Sequence, residues 1–151
     1  MQEDEMFEKL HYIELADKKY PVKCDLLVLE KLQEEFGSIS EFEEGLITWE
    51  PELDKKGEPL LDEKGEPKYK GKLPVMKAVN AALEYMVNEG EAIAAEQEGR
   101  EPVFVKREEI VRKVDLSPQQ LANQLHDEFY RCFRIKNGKT TQNAKKKEMT
   151  K

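Results

Sequence analysis

The segment over residues 12–37 constrains the fold most, because strand, turn, helix and stop signals follow one another in it without a gap. Two short runs, 10–15 and 19–24, contain β-branched and aromatic residues that alternate loosely with polar ones. They lie on either side of residues 16–18 and predict a β-hairpin. Pro21 lacks a backbone donor, which places its strand at an edge or near a bulge.

The hairpin leads directly into a predicted helix. Asp25 suits the N-cap, because a carboxylate accepts the free N–H groups of a first turn, and Gly37 suits the left-handed position after the last turn. Apolar residues recur between them at helical spacing and predict a single apolar face, formed by Leu26, Leu29, Leu32 and Phe36. We expect this face to pack against the hairpin and a later long helix.

Composition fits one helix-rich domain. The chain has 151 residues, of which 38 % are charged and 38 % are hydrophobic. Its net charge is −7, and residues 136–151 contain six Lys and one Glu, which gives this tail +5 and leaves −12 on residues 1–135. An acidic body argues against nucleic acid as a partner, since phosphate binding needs clustered Lys and Arg. We expect one helical domain over 1–135, with residues 1–5 frayed, and a disordered basic tail over 136–151.

A polar insertion interrupts the helical part of the chain. Capping serines at positions 38 and 40 first predict a short helix over about 40–46. The insertion, about 48–72, contains a repeat of period eight that reads LDKKGEP from Leu53 and LDEKGEP from Leu61. Each copy has Gly three residues after Asp, which suits a type I turn closed by Gly at positive φ. We interpret the insertion as exposed or as a small hairpin, whose base Trp49 and Tyr69 pack against the body.

The longest predicted helix begins with Pro74 at its first position. Gly90 destabilises a helix interior by about 1 kcal/mol relative to Ala, so we expect a bend or a stop there. An Ala-rich helical segment, 91–98, follows and ends at Gly99. The apolar stripe of the first part contains Met76, Val79, Leu83, Met86 and Val87.

The remaining residues predict two more helices. Residues 102–105 are extended, and 106–114 form a short helix. Ser117 is the N-cap of the last helix, with Pro at the next position, and this helix should run to about Arg134. Its apolar positions are Leu121, Leu125, Phe129 and Cys132. The predicted fold class is therefore mainly α with a small N-terminal β-hairpin (α+β), a compact helical domain with an extended polar insertion.

No cluster of reactive side chains is visible in the sequence. The two histidines, His11 and His126, lie in no zinc-binding motif, and we interpret His126 as a solvated helix residue. Cys24 and Cys132 lie in no C-x-x-C pattern, so we interpret them as apolar fillers in a reducing compartment. Phosphate-binding and nucleophile motifs are absent. We therefore expect no enzyme and no catalytic, cofactor or metal residues, and the sequence assigns no residue to partner binding.

Targeting signals are also absent. The first residues, MQEDEMFEKL, lack the basic start and apolar run of a secretory signal. No apolar segment approaches the roughly 18 residues that a membrane span needs. We expect a cytosolic protein with no membrane partner.

Two stretches carry a family resemblance. The first contains Ile13-Glu14-Leu15, Lys19-Tyr20-Pro21-Val22 and Asp25-Leu26, and continues as LEKLQEEFGS over 29–38. The second, over 76–91, ends in Asn-Glu-Gly-Glu. They resemble the tail assembly chaperones of long-tailed (siphovirus-like) bacteriophages, in which a short Tyr-Pro strand leads to a helix that ends in a Phe-Gly-Ser-like element. The segment 121–133 lies where this family has its last helix.

The resemblance implies a non-catalytic assembly factor that binds the phage tape-measure protein and recruits tail-tube subunits. It further implies action in the host cell cytoplasm and absence from the mature virion. Two alternatives remain open: a structural phage connector or minor tail protein, and a small regulatory binding protein such as an antitoxin, whose acidic body would neutralise a basic partner. A homo-oligomer is compatible with each of them.

Overall fold

The structure, a computed structural model, describes residues 9–134, so the expectations for 1–5 and for the tail 136–151 lie outside the described residues. The described chain forms two antiparallel pairs of strands and five helices, which confirms the predicted α+β class. In chain order the elements are β1 (His11–Leu15), β2 (Lys18–Val22), α1 (Leu26–Phe36), α2 (Ile39–Leu46), β3 (Trp49–Pro51), β4 (Tyr69–Gly71), α3 (Met76–Glu98), α4 (Arg107–Val111) and α5 (Pro118–Arg131).

The predicted N-terminal hairpin is confirmed. β1 and β2 pair from His11 opposite Val22 to Leu15 opposite Lys18. The connecting residues, Ala16 and Asp17, both have positive φ, 50° and 66°. This left-handed pair forms the tight turn that matches strand twist, although Ala16 lacks the conformational freedom of Gly.

Helix α1 is capped as predicted. Asp25 Oδ1 accepts the Val28 N–H at 3.1 Å, and Gly37 has a φ of 88°. The predicted apolar face is wrong at Leu26, which is 79 % exposed. Val28 and Leu32 are the buried residues of α1. The buried face is therefore centred on these two residues, and Leu26 lies outside it.

The short second helix is also confirmed. Ser38 caps α2 by accepting the Glu41 N–H at 3.0 Å. Gly45 lets α2 approach the start of α3 closely, because an added Cβ would lie 2.6 Å from the Ala78 Cβ. The Val75 N–H donates to the Gly45 carbonyl at 2.8 Å. Val75 is extended and forms the N-cap of α3, so the expected placement of Pro74 inside the helix is wrong.

The insertion forms a small exposed hairpin whose base is the β3–β4 pair. Each repeat closes a turn: the Gly57 N–H donates to the Asp54 carbonyl and the Gly65 N–H donates to the Asp62 carbonyl, both at 3.0 Å. Both glycines have positive φ, 84° and 82°, which confirms the predicted turns.

The expected packing at the base of the insertion is wrong. Trp49 and Tyr69 are both more than half exposed. Backbone pairing closes the base instead, with Trp49 opposite Gly71 and Pro51 opposite Tyr69. Two strands held by backbone bonds need no ring packed on the body.

Helix α3 is the central element. Its predicted stripe is confirmed, with Val79, Leu83, Met86 and Val87 buried and Met76 packed against the core. The helix continues through Gly90 to Glu98 and ends at Gly99, whose φ is 68°. Of the two outcomes expected at Gly90, a bend or a stop, the stop is wrong. Glycine occupies this position because α3 contacts the backbone of β2 there.

The last two helices are shorter than predicted. Helix α4 spans Arg107–Val111, and α5 ends at Arg131. Beyond Arg131 the chain tightens, since the N–H groups of Cys132 and Phe133 donate to carbonyls three residues earlier. The predicted start of α5 is confirmed: Ser117 Oγ accepts the Gln120 N–H at 3.1 Å, and Gln120 Oε1 accepts the Ser117 N–H at 2.9 Å.

One apolar core joins the hairpin to all five helices. Phe42 of α2 and Phe129 of α5 meet edge to face with ring centroids 5.4 Å apart. Ten of the largest core side chains are less than 2 % exposed: Leu15, Leu32, Phe42, Leu46, Leu83, Met86, Ile110, Leu121, Leu125 and Phe129.

Candidate functional site

A groove of about 470 Å³ opens between the hairpin and the second half of α3. Buried Tyr20, Val87 and Ala94 contribute to its apolar lining. The rim contains exposed apolar side chains, Tyr12 on β1 and Val103 in the segment after α3, and Val103 is 73 % exposed. The groove therefore offers apolar surface to solvent.

The crossing of α3 over β2 positions this groove. A Cβ on Gly90 would overlap the Pro21 carbonyl group and lie 2.6 Å from the Val22 nitrogen. The Lys23 N–H donates to the Met86 carbonyl at 3.0 Å, so hairpin and helix are joined by a direct backbone bond. Glycine is required at position 90 because the two backbones are in contact there.

The segment after α3 is held against the helix by Arg100. Its guanidinium binds Glu91 through two nitrogens, at 2.6 and 3.2 Å, and its Nε donates to Glu98 at 2.7 Å. Glu91 also accepts the Val103 N–H at 2.9 Å. These bonds from Arg100, and then the one from Val103, lower the pKa of the Glu91 carboxyl group despite its partial burial. Glu91 thus anchors the segment after α3, which forms the outer wall of the groove.

A second anchor lies one turn earlier on α3. The Asn88 side-chain amide donates to the Val105 carbonyl and accepts the Val105 N–H, both at 2.9 Å. This pair imitates a strand pairing and satisfies both backbone groups of Val105. The wall of the groove is therefore fixed at Val103 and at Val105.

Lysines lie at the opposite wall. Lys18 and Lys19 line the groove from the first residues of β2, and Lys18 Nζ lies 4.9 Å from the centroid of the Tyr20 ring. Both side chains are exposed. Arg100 and its two partners, Glu91 and Glu98, together have a net charge of −1. The two lysines add +2, so the groove lining has a net charge of +1.

A different polar cluster joins α1, α3 and α4. Arg107 donates to both oxygens of Glu35 at 3.0 Å and to Glu84 at 2.7 Å, and the Tyr85 hydroxyl donates to Glu35 at 2.6 Å. The Arg107 bonds hold the pKa of Glu35 below its usual value. Burial, followed by the bond to Glu35, raises the pKa of Tyr85. Every oxygen of Glu35 is occupied, so this cluster serves to hold helices together.

Glu128 is a buried carboxylate at the core edge, 2 % exposed. It accepts the Cys24 N–H at 3.1 Å and a bond from Arg131 at 2.6 Å. Cys132 lies four residues after Glu128, directly after the end of α5, and contacts the Cys24 thiol. Both thiols are free, and burial raises the pKa of Cys24 and of Cys132. Protonated, packed thiols fit the predicted filler role.

The two histidines differ in their surroundings. His11 is exposed on β1, where desolvation and then Arg131 lower its pKa. The interpretation of His126 as a solvated residue is wrong: its Nε2 lies 3.1 Å from Glu43, and its side chain is 20 % exposed. The ring also packs edge to face on Tyr130. His126 joins α5 to α2, because its aromatic and polar contacts reach neighbours on both helices.

Exposed apolar side chains also occur away from the groove. Leu26 and Leu27 are neighbours at the start of α1, and Tyr130 and Phe133 are three residues apart at the end of α5. Val103 and Phe104 form a third exposed pair beside the groove. Among residues 9–134, no three or more His, Cys, Asp and Glu side chains are placed to hold a metal ion.

Within the same described range, no helix has the length and apolar character needed to cross a bilayer. Comparison of the chain with protein-family models, with curated proteins and with solved structures finds no match. The fold is that of an acidic α+β protein, and its groove and several of its apolar side chains are exposed to solvent.

Proposed function

We propose that this chain is a phage tail assembly chaperone, a non-catalytic assembly factor that binds the tape-measure protein and recruits tail-tube subunits. The observation that carries this proposal is the grouping of exposed apolar side chains, as a groove and as sequential or helically adjacent pairs. Contiguous apolar surface on a small protein marks a site of interaction. A tape-measure protein exposes apolar surface until the tube encloses it, and such surface needs a temporary cover.

The charge of the chain suits a temporary holder. Residues 1–135 have a net charge of −12. A high net charge keeps a complex with an apolar partner in solution through mutual repulsion. The ionisable groups described above, Glu35, Glu91 and Glu128, are each bonded to an arginine that fixes the fold. Their positions favour a binding role over acid–base chemistry.

Co-expression with a phage tape-measure protein, which the proposal expects to be encoded beside this chain, tests this role. A tagged chain should retain the tape-measure protein through purification. The double variant Leu26→Ser/Leu27→Ser removes exposed apolar surface without touching the core and should retain less of it. Glu30→Ser, an exposed residue of the same helix, is the matched control and should retain as much as the wild type.

Mass spectrometry of purified particles separates the chaperone from a structural component. A chaperone should be absent from mature particles or scarce in them. Stoichiometric amounts would refute the proposal and support a connector or minor tail protein. Failure of the wild-type chain to retain the tape-measure protein would refute it as well.

A further inference from the structure

We propose that the groove between the hairpin and α3 binds an acidic peptide segment that carries apolar side chains, supplied by the partner chain. This inference rests on the proposed binding function and names the chemistry of the segment that is bound. It starts from the two properties that the groove combines, an apolar lining and a net positive charge that Lys18 and Lys19 supply.

The apolar part is built into the fold. Tyr20, Val87 and Ala94 are buried residues that also line the groove, so their surface is fixed by the core behind them. Gly90 holds α3 against Pro21, and the Asn88–Val105 bonds hold the outer wall. A groove with rigid walls needs little ordering when a peptide enters it, which favours binding.

The charge of the groove selects the peptide. The lining has a net charge of +1 on a body of net charge −12, so this surface differs in sign from its surroundings. Lys18 and Lys19 supply the difference, because Arg100 together with Glu91 and Glu98 has a net charge of −1 and the two lysines add +2. Glu14 lies opposite Lys19 in the strand ladder but does not line the groove. Complementary charge across an interface favours an acidic ligand and rejects a basic one.

The first test uses a short fluorescein-labelled peptide in which Glu residues separate Leu and Phe. Its match has Lys in place of every Glu. Fluorescence anisotropy with the full chain should show binding of the acidic peptide, weakened by added salt, and none of the basic one. Equal binding of both peptides would overturn the proposal.

Charge reversal at the groove gives the second test. Lys18→Glu/Lys19→Glu should weaken binding of the acidic peptide by about tenfold or more, since it turns attraction into repulsion. Lys55→Glu/Lys56→Glu makes the same change in charge on the exposed insertion and should bind as the wild type does. Val103→Ser, at an exposed apolar position, should also weaken binding. Unchanged binding by the Lys18/Lys19 variant would refute the groove as the site.

Other occupants give different results. Concentration-dependent dimerisation that the Lys18/Lys19 variant abolishes would place a second copy in the groove and overturn the proposal. Residues 1–8, MQEDEMFE, combine acidic and apolar side chains as the proposed peptide does. Binding of the peptide by Phe7→Ser, combined with none by the wild type, would assign the groove to this segment and refute a separate ligand.

The same variants separate the two proposals. If the wild type and the Lys18/Lys19 variant retain the tape-measure protein equally, the binding function stands and the groove assignment fails. If the wild type retains none, the proposed function itself fails.

Discussion

Replacing Gly90 by Ala tests the crossing of α3 over β2, on which the groove depends. In a helix with free surroundings, this change stabilises by about 1 kcal/mol. Here the new Cβ would overlap the Pro21 carbonyl group and crowd the Val22 nitrogen. Backbone atoms cannot rotate away as a side chain does, so hairpin and helix must separate.

The expected result is a loss of stability in spite of the better helix propensity. Overpacking of a filled core destabilises by roughly 1–3 kcal/mol, and the fixed backbone places this site at the upper end. Separation also weakens the Lys23–Met86 backbone bond, which is worth about 1 kcal/mol. After the propensity gain is subtracted, we expect a net loss of about 2 to 3 kcal/mol.

Urea unfolding followed by circular dichroism measures this loss. The melting temperature should fall by roughly 10 °C for a domain of this size. Glu96→Ala, at an exposed position of the same helix, is the control and should change the free energy of unfolding by no more than about 0.5 kcal/mol. A Gly90→Ala variant as stable as the wild type, or more stable, would refute the close contact.

Three further predictions concern other parts of the fold. Because the Arg107 bonds hold the pKa of Glu35 below 4.5, the carboxylate contributes stability that is present above this pH and is lost as the pH falls through the lowered folded-state value. Urea titrations at several pH values should show that the free energy of unfolding falls less with decreasing pH in Arg107→Met than in the wild type. An equal fall in both proteins would contradict the role of the Arg107–Glu35 bond. Ala16→Gly should stabilise the hairpin turn by about 1 kcal/mol, because it removes the penalty of a left-handed Ala, and a lower melting temperature would refute the strain. Leu32→Ala should cost about 2–5 kcal/mol in urea unfolding, whereas Leu26→Ala should cost less than about 0.5 kcal/mol. Similar losses at both positions would contradict the burial of α1.

Local signals account for the parts of the fold that the sequence predicts well. Asp25 and Ser117 bond to N–H groups within their own first turns, so their roles are visible without tertiary structure. The two repeat turns follow from Asp and Gly at fixed spacing. In each case the partner atoms lie within four residues, which is the range that local patterns report.

Long-range contacts account for the errors. Gly90 has the local signature of a helix break, but its role depends on Pro21, which is 69 residues away in the chain. His126 has acidic neighbours in sequence, yet its ring nitrogen makes its polar contact with Glu43 on another helix. Leu26 continues a helical spacing that the core does not use. The spacing of apolar residues predicts that a helix has an apolar face, but tertiary packing determines which residues of that face are buried.

The sequence did not predict the groove. Lys18 and Lys19 precede Tyr20-Pro21, but nothing in this order of residues indicates a binding surface. The opposite wall depends on Arg100 folding back onto Glu91, nine residues earlier, and on Asn88 reaching Val105. Neither contact has a sequence signature that distinguishes it from an ordinary exposed charge or amide.

The most direct test of the account is the soluble yield of the tape-measure protein when it is expressed with and without this chain. Apolar surface on the chain should cover apolar surface on the tape-measure protein, so co-expression should move that protein from the insoluble to the soluble fraction. The Leu26→Ser/Leu27→Ser variant should do so less well. A soluble yield that does not depend on the chain would contradict the account.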